Sequence, residues 1–327
     1  MEKRQLGRTG RMVSPMGFGC WAIGGPFWAG ETPLGWGQVD DEESIRAIHA
    51  ALDLGIDFFD TANVYGCGHS ERVLGRALKG RWDKVVVATK FNAVFDESTR
   101  QVTGSDATPA GIRKACEDSL RRLGTDVIDL FQFHDGGYPL DKAPEVRKTL
   151  EELVREGKIR TYGWSTDSTE RAELFAQGEH CAAIQFHLNV LDDNPAVIAV
   201  CERHRLTGIN RGPLAMGVLT GKYGADTKVG AEDVRGEKAP EWMRIFLGGK
   251  PNPGYIAKRE AIRDILTSNG RTVAQGALAW IWARSPQTLP IPGIRTVRQA
   301  QENAEAMRFG PLTPAQMAEI EKILGRG

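Results

Sequence analysis

The stretch Gly55-Ile-Asp-Phe-Phe-Asp60-Thr-Ala-Asn-Val-Tyr65-Gly-Cys-Gly-His-Ser70-Glu-Arg-Val-Leu-Gly75 decides how the rest of the chain is read. A short β-type run, Ile56 to Phe59, stops at an acid, Asp60. A loop then carries Tyr65 between small residues before an amphipathic helix opens near Ser70. Two later runs end in the same manner: Val85-Val86-Val87-Ala88-Thr89 delivers Lys90, and Val127 to Phe133 delivers His134. An acid, a phenol, an amine and an imidazole therefore terminate three successive expected strands. In a repeated βα architecture the loops that follow strands form one active face, so the four are expected to share a cleft.

The alternation extends in both directions. Residues 3 to 14 read as a hairpin turning at Arg8-Thr9-Gly10, expected to plug one end of the fold, and lead into a buried strand at Ser14 to Phe18. Residues 19 to 40 are Gly-rich, hold Trp21, Trp28 and Trp36, and are expected to be irregular. Helices are expected at 41–54, 70–79, 109–123, 142–155, 168–176 and 195–205, alternating with strands at 56–60, 84–89, 126–133, 158–164, 182–186 and 206–210. After a Gly/Pro-rich excursion over 221–254 come helices at 256–268 and 272–284, a last strand at Thr288 to Ile291, a helix from Val297 and another over Pro314 to Leu324. About eight strands separated by helices, with no change of composition marking a second domain, predict one (β/α)8 TIM barrel over residues 1–327. It would carry an N-terminal hairpin, long top-face loops and an extra C-terminal helix, and the typical barrel of about 250 residues leaves room for them. A doubly wound sheet is the rival. Gly17-Phe-Gly19-Cys-Trp-Ala22 has the spacing of a dinucleotide fingerprint, but Gly24-Gly25-Pro26 follow where a helix should begin.

Composition narrows the function. The 327 residues are 41% hydrophobic and 26% charged, and Lys plus Arg equals Asp plus Glu at 42 each. A zero formal charge favours neither nucleic acid nor an anionic membrane, and points to a small-molecule partner. The five cysteines are odd in number and never paired as C-x-x-C, so reduced thiols are expected, with no zinc site or disulfide framework. The first residues lack an apolar signal-peptide core and no run approaches the ~18 apolar residues of a membrane span, so a cytoplasmic location is expected. No metal-ligand set is apparent around His134, His180 or His187. Oligomeric state stays open.

The chemistry of the four strand-end residues suits proton transfer at an oxygen. A phenol has a pKa of ~10, so activity near neutrality requires a shift of about 3 units, or ~4 kcal/mol. Lys90 is expected to favour phenolate by charge, Asp60 to orient that ammonium, and His134 to hydrogen-bond the other side of the reacting oxygen. Carbonyl reduction fits: hydride reaches carbon while Tyr65 protonates the developing alkoxide.

Several motifs in this chain together resemble the aldo-keto reductase family over nearly its whole length. They are Arg4-Gln-Leu-Gly-Arg-Thr-Gly10, Gly17-Phe-Gly19, Asp60-Thr-Ala-Asn-Val-Tyr-Gly66, Lys90, Gln132-Phe-His134, Gly212-Pro-Leu-Ala215 and Ile291-Pro-Gly-Ile-Arg295. The resemblance implies a (β/α)8 barrel that binds NADPH and a small carbonyl substrate, with Asp60, Tyr65, Lys90 and His134 as the catalytic tetrad. It also implies that Ser165 and Gln185 hold the nicotinamide carboxamide, Asp60 and Trp21 line the nicotinamide, and Arg211 takes the place of an aromatic residue stacked on its ring. Thr166 replaces the family's frequent Asn beside Ser165. Gly212, Pro213, Leu214, Ala215 and Lys222 fall on the pyrophosphate loop. Gly293, Arg295, Gln299, Glu302 and Asn303 fall on the adenosine end, where Arg295 is expected to open a helix and meet the 2′-phosphate, with Arg235 as a further phosphate contact. An alternative class on the same scaffold is an NADPH-binding regulatory or sensor protein resembling the potassium-channel β-subunits, which have a different residue at the position of His134.

Overall fold

The inward-facing rows of the barrel strands place the site. The structure, a computed structural model, describes residues 1–326. Eight parallel strands, β1 (Phe18–Gly19), β2 (Phe58–Asp60), β3 (Val86–Phe91), β4 (Ile128–Phe133), β5 (Ile159–Ser165), β6 (Cys181–His187), β7 (Thr207–Arg211) and β8 (Thr288–Pro290), pair in sequence order. The sheet closes where Gly17 and Gly19 donate to Pro290 O and Pro292 O, both at 2.9 Å, and Ile294 donates back to Gly19 O at 3.3 Å. A Cβ on Gly19 would lie 2.7 Å from Ile291 O, so this closure needs a residue without a side chain.

Successive side chains of a strand point to opposite faces. Phe58, Val86, Ala88, Leu130, Ala183, Ile209 and Leu289 fill the barrel interior, while Phe59, Val87, Phe91, Phe131, Phe133 and Trp164 join the larger core under the helices. Followed upward two residues at a time, the inward rows turn from apolar to polar: Phe58 gives way to Asp60, Ala88 to Lys90, Leu130 to Gln132, Ala183 to Gln185 and Ile209 to Arg211. Local sequence thus builds an apolar lower barrel beneath a polar upper one.

The lower end is stoppered. Arg4–Gln5 pairs antiparallel with Met12–Val13, and Leu6 and Val13 complete the interior cluster. Arg8 at the turn donates to the carbonyls of Ala176, Gly178 and Cys181, and Gly7 N donates to Thr207 Oγ1 at 2.8 Å.

Helices α1 (Asp41–Asp53), α2 (His69–Leu78), α3 (Pro109–Leu123), α4 (Ala143–Arg155), α5 (Thr169–Ala176) and α6 (Pro195–His204) surround the barrel with α7 (Pro253–Ala261), α8 (Arg263–Thr267), α9 (Val273–Arg284), α10 (Val297–Phe309) and α11 (Pro314–Ile323). Side-chain caps start several of them: Asp40 before α1, Thr108 before α3, Ser168 before α5 and a Thr272/Gln275 capping box before α9. None of the described helices is long and apolar enough to cross a membrane.

Four expectations change. The first strand is Phe18–Gly19, later than Ser14 to Phe18. The helix expected over 256–268 starts earlier, because Asn252 caps it and Pro253 suits the first turn, and it breaks at Ile262. The strand carrying Lys90 runs on to Phe91, so Lys90 sits within β3. The first loop is more ordered than expected: Trp28–Ala29 and Thr32–Pro33 form a four-stranded sheet with a hairpin, Ala93–Asp96 and Gln101–Ser105, that the sequence reading lacked. Asp96 Oδ1 accepts from Ser98 N and Thr99 N and shapes that hairpin's turn.

Truncating the stopper tests its contribution. Leu6→Ala is expected to lower unfolding free energy by about 3 kcal/mol in urea titrations, through lost burial and a residual cavity. The pH profile of any measured activity should stay unchanged.

Candidate active site

Tyr65 hangs on a loop that the barrel rim holds along its length. Thr61 N donates to Ala88 O at 2.8 Å and Asn63 N to Lys90 O at 3.1 Å, so the segment after β2 runs on along β3. The Thr61 and Ser70 hydroxyls are 2.8 Å apart, and Ser70 Oγ donates to Cys20 O at 2.9 Å, tying both ends of the loop to the segment after β1. Gly66 has φ of +61° and lies so close to Gly24 that a Cβ would come within 1.8 Å of Gly24 O. Only glycine meets both demands. The phenol ring stacks on Trp21 at 5.9 Å between centroids and meets the His134 ring edge-on at 6.2 Å.

Lys90 is fully buried and its ammonium has three partners for three hydrogens. It donates to Asp60 Oδ2 at 2.5 Å, Thr61 O at 2.8 Å and Tyr65 Oη at 3.2 Å. Burial alone would depress this ammonium, but Asp60 and Tyr65 together outweigh it and its pKa moves up. For Tyr65 the net direction is also up, because burial outweighs the Lys90 charge that opposes it. The Lys90 charge acts in the expected direction, but burial outweighs it, so the resting group is a protonated phenol, the form from which a proton can be given. His134 is only partly exposed and is otherwise enclosed by protein. That enclosure, with the charges of Lys90 and Arg211, lowers its pKa to about 3, so at neutral pH it is a neutral imidazole.

The remaining sequence-predicted residues fall into three groups. Ser165 and Gln185 are register partners at the upper ends of β5 and β6, and both are buried. Thr166 beside them turns its hydroxyl to Gly136 O at 3.2 Å. Arg211 ends β7 and forms an ion pair with Asp167, whose other oxygen accepts from His187 N at 2.7 Å. The second group is the Gly212-Pro213-Leu214-Ala215 segment. Left-handed backbone occurs there at Gly212 and Ala215 and continues through Met216 and Gly217, and such conformations in non-glycine residues cluster at ligand loops. Lys222 is exposed and lies 4.8 Å above the Tyr223 ring.

The third group is the segment after β8. Gly293 pairs with Gly19, Glu302 is half-buried and Asn303 is buried. Arg295 does not open the helix: α10 starts at Val297 under a Thr296 cap, while Arg295 N donates to Gln299 Oε1 at 3.0 Å and its guanidinium to Trp36 O at 3.3 Å. The first amide of α10, Val297 N, donates to the Glu43 carboxylate at 2.9 Å, so a side chain of α1 occupies that position. Arg235 is not free for a phosphate. Its guanidinium is taken by Asp233, Tyr223 Oη and Met216 O and lies 4.4 Å over the Trp36 ring, joining the first loop to the excursion after β7.

Sequence reasoning missed three contributors. Gln132 lies inside an apolar run, yet it is two residues below His134 and so on the same inward row. Trp242, 56% exposed, sits 6.4 Å from Trp21, and its place in an irregular excursion gave no signal. Asp167 faces Arg211 across 44 positions of chain. A groove of about 950 Å³ runs outside the barrel between α2, α3 and the 93–105 hairpin, away from Tyr65, and the arginines along it are already paired with acids. The five cysteines are free and buried. Among the described residues no group of three or more His, Cys, Asp or Glu is placed to hold a metal ion.

Comparison with known proteins then places the chain and its parallel barrel. Residues 15–325 match the Aldo/keto reductase family, and the chain belongs to it. It is 32% identical to aldo-keto reductase YhdN of Bacillus subtilis, over 99% of this chain and 89% of that protein. The solved glycerol dehydrogenase AKR11B4 of Gluconobacter oxydans superposes with a TM-score of 0.82 at 34% identity, covering 99% of this chain and 95% of that one. An aldo/keto reductase of Klebsiella pneumoniae, solved with NADP and acetate, superposes at 0.71 with 26% identity, over 100% of this chain and 97% of that one.

The depressed affinity of His134 for a proton makes stability depend on acid. Between pH of about 6.5 and about 3 the unfolded chain binds a proton at this residue that the folded chain does not, so folding stability falls as pH falls. The contribution is at most about 1.4 kcal/mol per pH unit. Urea unfolding from pH 7 to 4.5 should show a shallower acid loss in His134→Gln than in the wild type. Parallel curves would mean that His134 titrates normally.

Proposed function

We propose that this chain is an NADPH-dependent oxidoreductase that reduces aldehydes, ketones or sugar-like carbonyl compounds to alcohols, with Tyr65 as the general acid. The observation that carries this reading is the Lys90 ammonium held between Asp60 at 2.5 Å and the Tyr65 hydroxyl at 3.2 Å, with the tyrosine partly exposed at the upper rim. A nicotinamide held there would supply the hydride. Tyr65 gives its proton to the carbonyl oxygen as negative charge develops there. The phenolate left behind lies against Lys90, whose charge stabilises it, and Asp60 keeps that lysine protonated and aimed. Neutral His134, edge-on to the same phenol, donates a ring hydrogen to the carbonyl oxygen and positions it.

The chain's donor set suits the dinucleotide. Ser165 and Gln185 offer a hydroxyl and a primary amide to the carboxamide, and the left-handed conformations at Gly212, Ala215, Met216 and Gly217 shape a loop in which the two glycines allow the pyrophosphate a close backbone approach. Lys222 and Arg295 are exposed cations along the same rim, with Gly293, Gln299, Glu302 and Asn303 at the adenosine end. Trp21 walls the substrate side of the ring. Arg211 contributes a planar guanidinium whose position Asp167 sets. The Klebsiella relative solved with NADP supports the choice of cofactor.

Replacing Tyr65 with Phe should lower kcat for NADPH-dependent carbonyl reduction about 10²- to 10⁴-fold. NADPH affinity, followed by quenching of protein fluorescence, should change less than about twofold. Full turnover in the variant would remove Tyr65 from the role. Oxidation of less than one NADPH per wild-type chain across a carbonyl panel would instead favour the regulatory class.

A further inference from the structure

The two oxygens of Asp60 have different company. Oδ2 takes the Lys90 ammonium, whereas Oδ1 accepts from the side-chain amides of Gln132 at 3.0 Å and Gln185 at 2.8 Å. A carboxylate oxygen can only accept, so both amides must present their NH₂ groups to it. Gln185 also donates to Gln132 Oε1 at 3.3 Å. All four side chains are buried, with exposures of 0% to 2%. Gln132 and Gln185 stand on β4 and β6, with β5 between them. Gly163, the register partner of Gln132 on β5, puts no side chain in the way, and a Cβ there would come within 2.4 Å of Ala183 O.

The Lys90 ammonium has no hydrogen to spare. If Asp60 swings, the N–H aimed at Tyr65 loses its direction, and a misplacement of this size matters for proton transfer. Gln185 has only two N–H groups, both committed to Asp60 and Gln132. On the proposed reading, which this step assumes, Gln185 also serves the nicotinamide carboxamide, and any N–H it turns there is withdrawn from this network. We propose that Gln132 is a positioning residue: it is the donor that stays on Asp60 Oδ1 when Gln185 turns to the cofactor, and it thereby links occupancy of the carboxamide site to the placement of Lys90 and Tyr65. Gln132, the register partner of Lys90, hydrogen-bonds neither the phenol nor the ammonium, and its side-chain bonds go to Asp60 and Gln185. Its effect passes through Asp60.

Two variants test this. Gln132→Met keeps length and volume but removes donor and acceptor, and Gln132→Asn keeps the amide on a shorter stem. Gln132→Met should lower kcat for carbonyl reduction about tenfold, with KM within about twofold, and should move the alkaline limb of the kcat–pH profile by about half a unit or more. Gln132→Asn should recover part of the loss. NADPH binding, read by fluorescence quenching without turnover, supplies a second arm. In a double-mutant cycle with Gln185→Met, the combined weakening should fall short of the product of the single effects by about threefold or more, because the two amides act as one network. An unshifted pH profile, or affinities that simply multiply, would overturn the proposal. A kcat loss matched by a fall in folded protein would do the same. Should the wild type reduce no carbonyl at all, the functional reading fails by itself, and the binding cycle still decides the role of Gln132.

Discussion

A lysine and an aspartate with side-chain exposures of 0% and 3% meet at 2.5 Å inside the upper barrel, and the surrounding structure is arranged to make that pair tolerable. Removing two charges from water costs several kcal/mol for each ion, recovered only where geometry is good and the remaining hydrogen-bonding capacity is filled. Here it is filled. Three ammonium hydrogens have three acceptors, and the second carboxylate oxygen has two amide donors. The same satisfaction that makes the pair stable leaves one N–H directed at the Tyr65 hydroxyl, so the structural and chemical requirements of the site coincide.

The pair could not sit in the lower barrel, where Phe58, Val86, Leu130, Ile209 and Leu289 meet the hairpin stopper. It sits two residues higher on the same inward rows, at the level where the strands become polar. Behind it, Glu71 at the start of α2 accepts from Thr89 on β3 at 2.6 Å and from Arg122 on α3 at 2.6 Å, bracing from outside the strand that delivers Lys90. On the open side, Arg235 fastens the excursion after β7 to Trp36, and Val234 N donates to Gly35 O at 2.7 Å. Two segments some two hundred residues apart in sequence thus form one rim.

Much of this was legible in the chain. The strand–helix rhythm marked the barrel, and Asp60, Tyr65, Lys90 and His134 stood out because each ends or closely follows an apolar run. What could not be read depended on distance or burial. Gln132 is indistinguishable from a core position until its row is traced beside Asp60, and the Arg211–Asp167 pair is a long-range meeting with no local pattern. The proton affinity of Tyr65 turned on a contest between burial and the Lys90 charge, and sequence supplies only the second of these. The 93–105 hairpin escaped because strands of four and five residues around an Asp-Glu-Ser-Thr-Arg turn resemble an ordinary loop.

The stoppered base has a practical side. With Leu6 and Val13 sealing that end and Arg8 stapled to three carbonyls beneath it, the molecule has a blind floor. A surface or fusion partner attached on the floor side would therefore leave the Tyr65 rim unobstructed, whereas bulk added near Trp242, which packs beside Trp21, would crowd it.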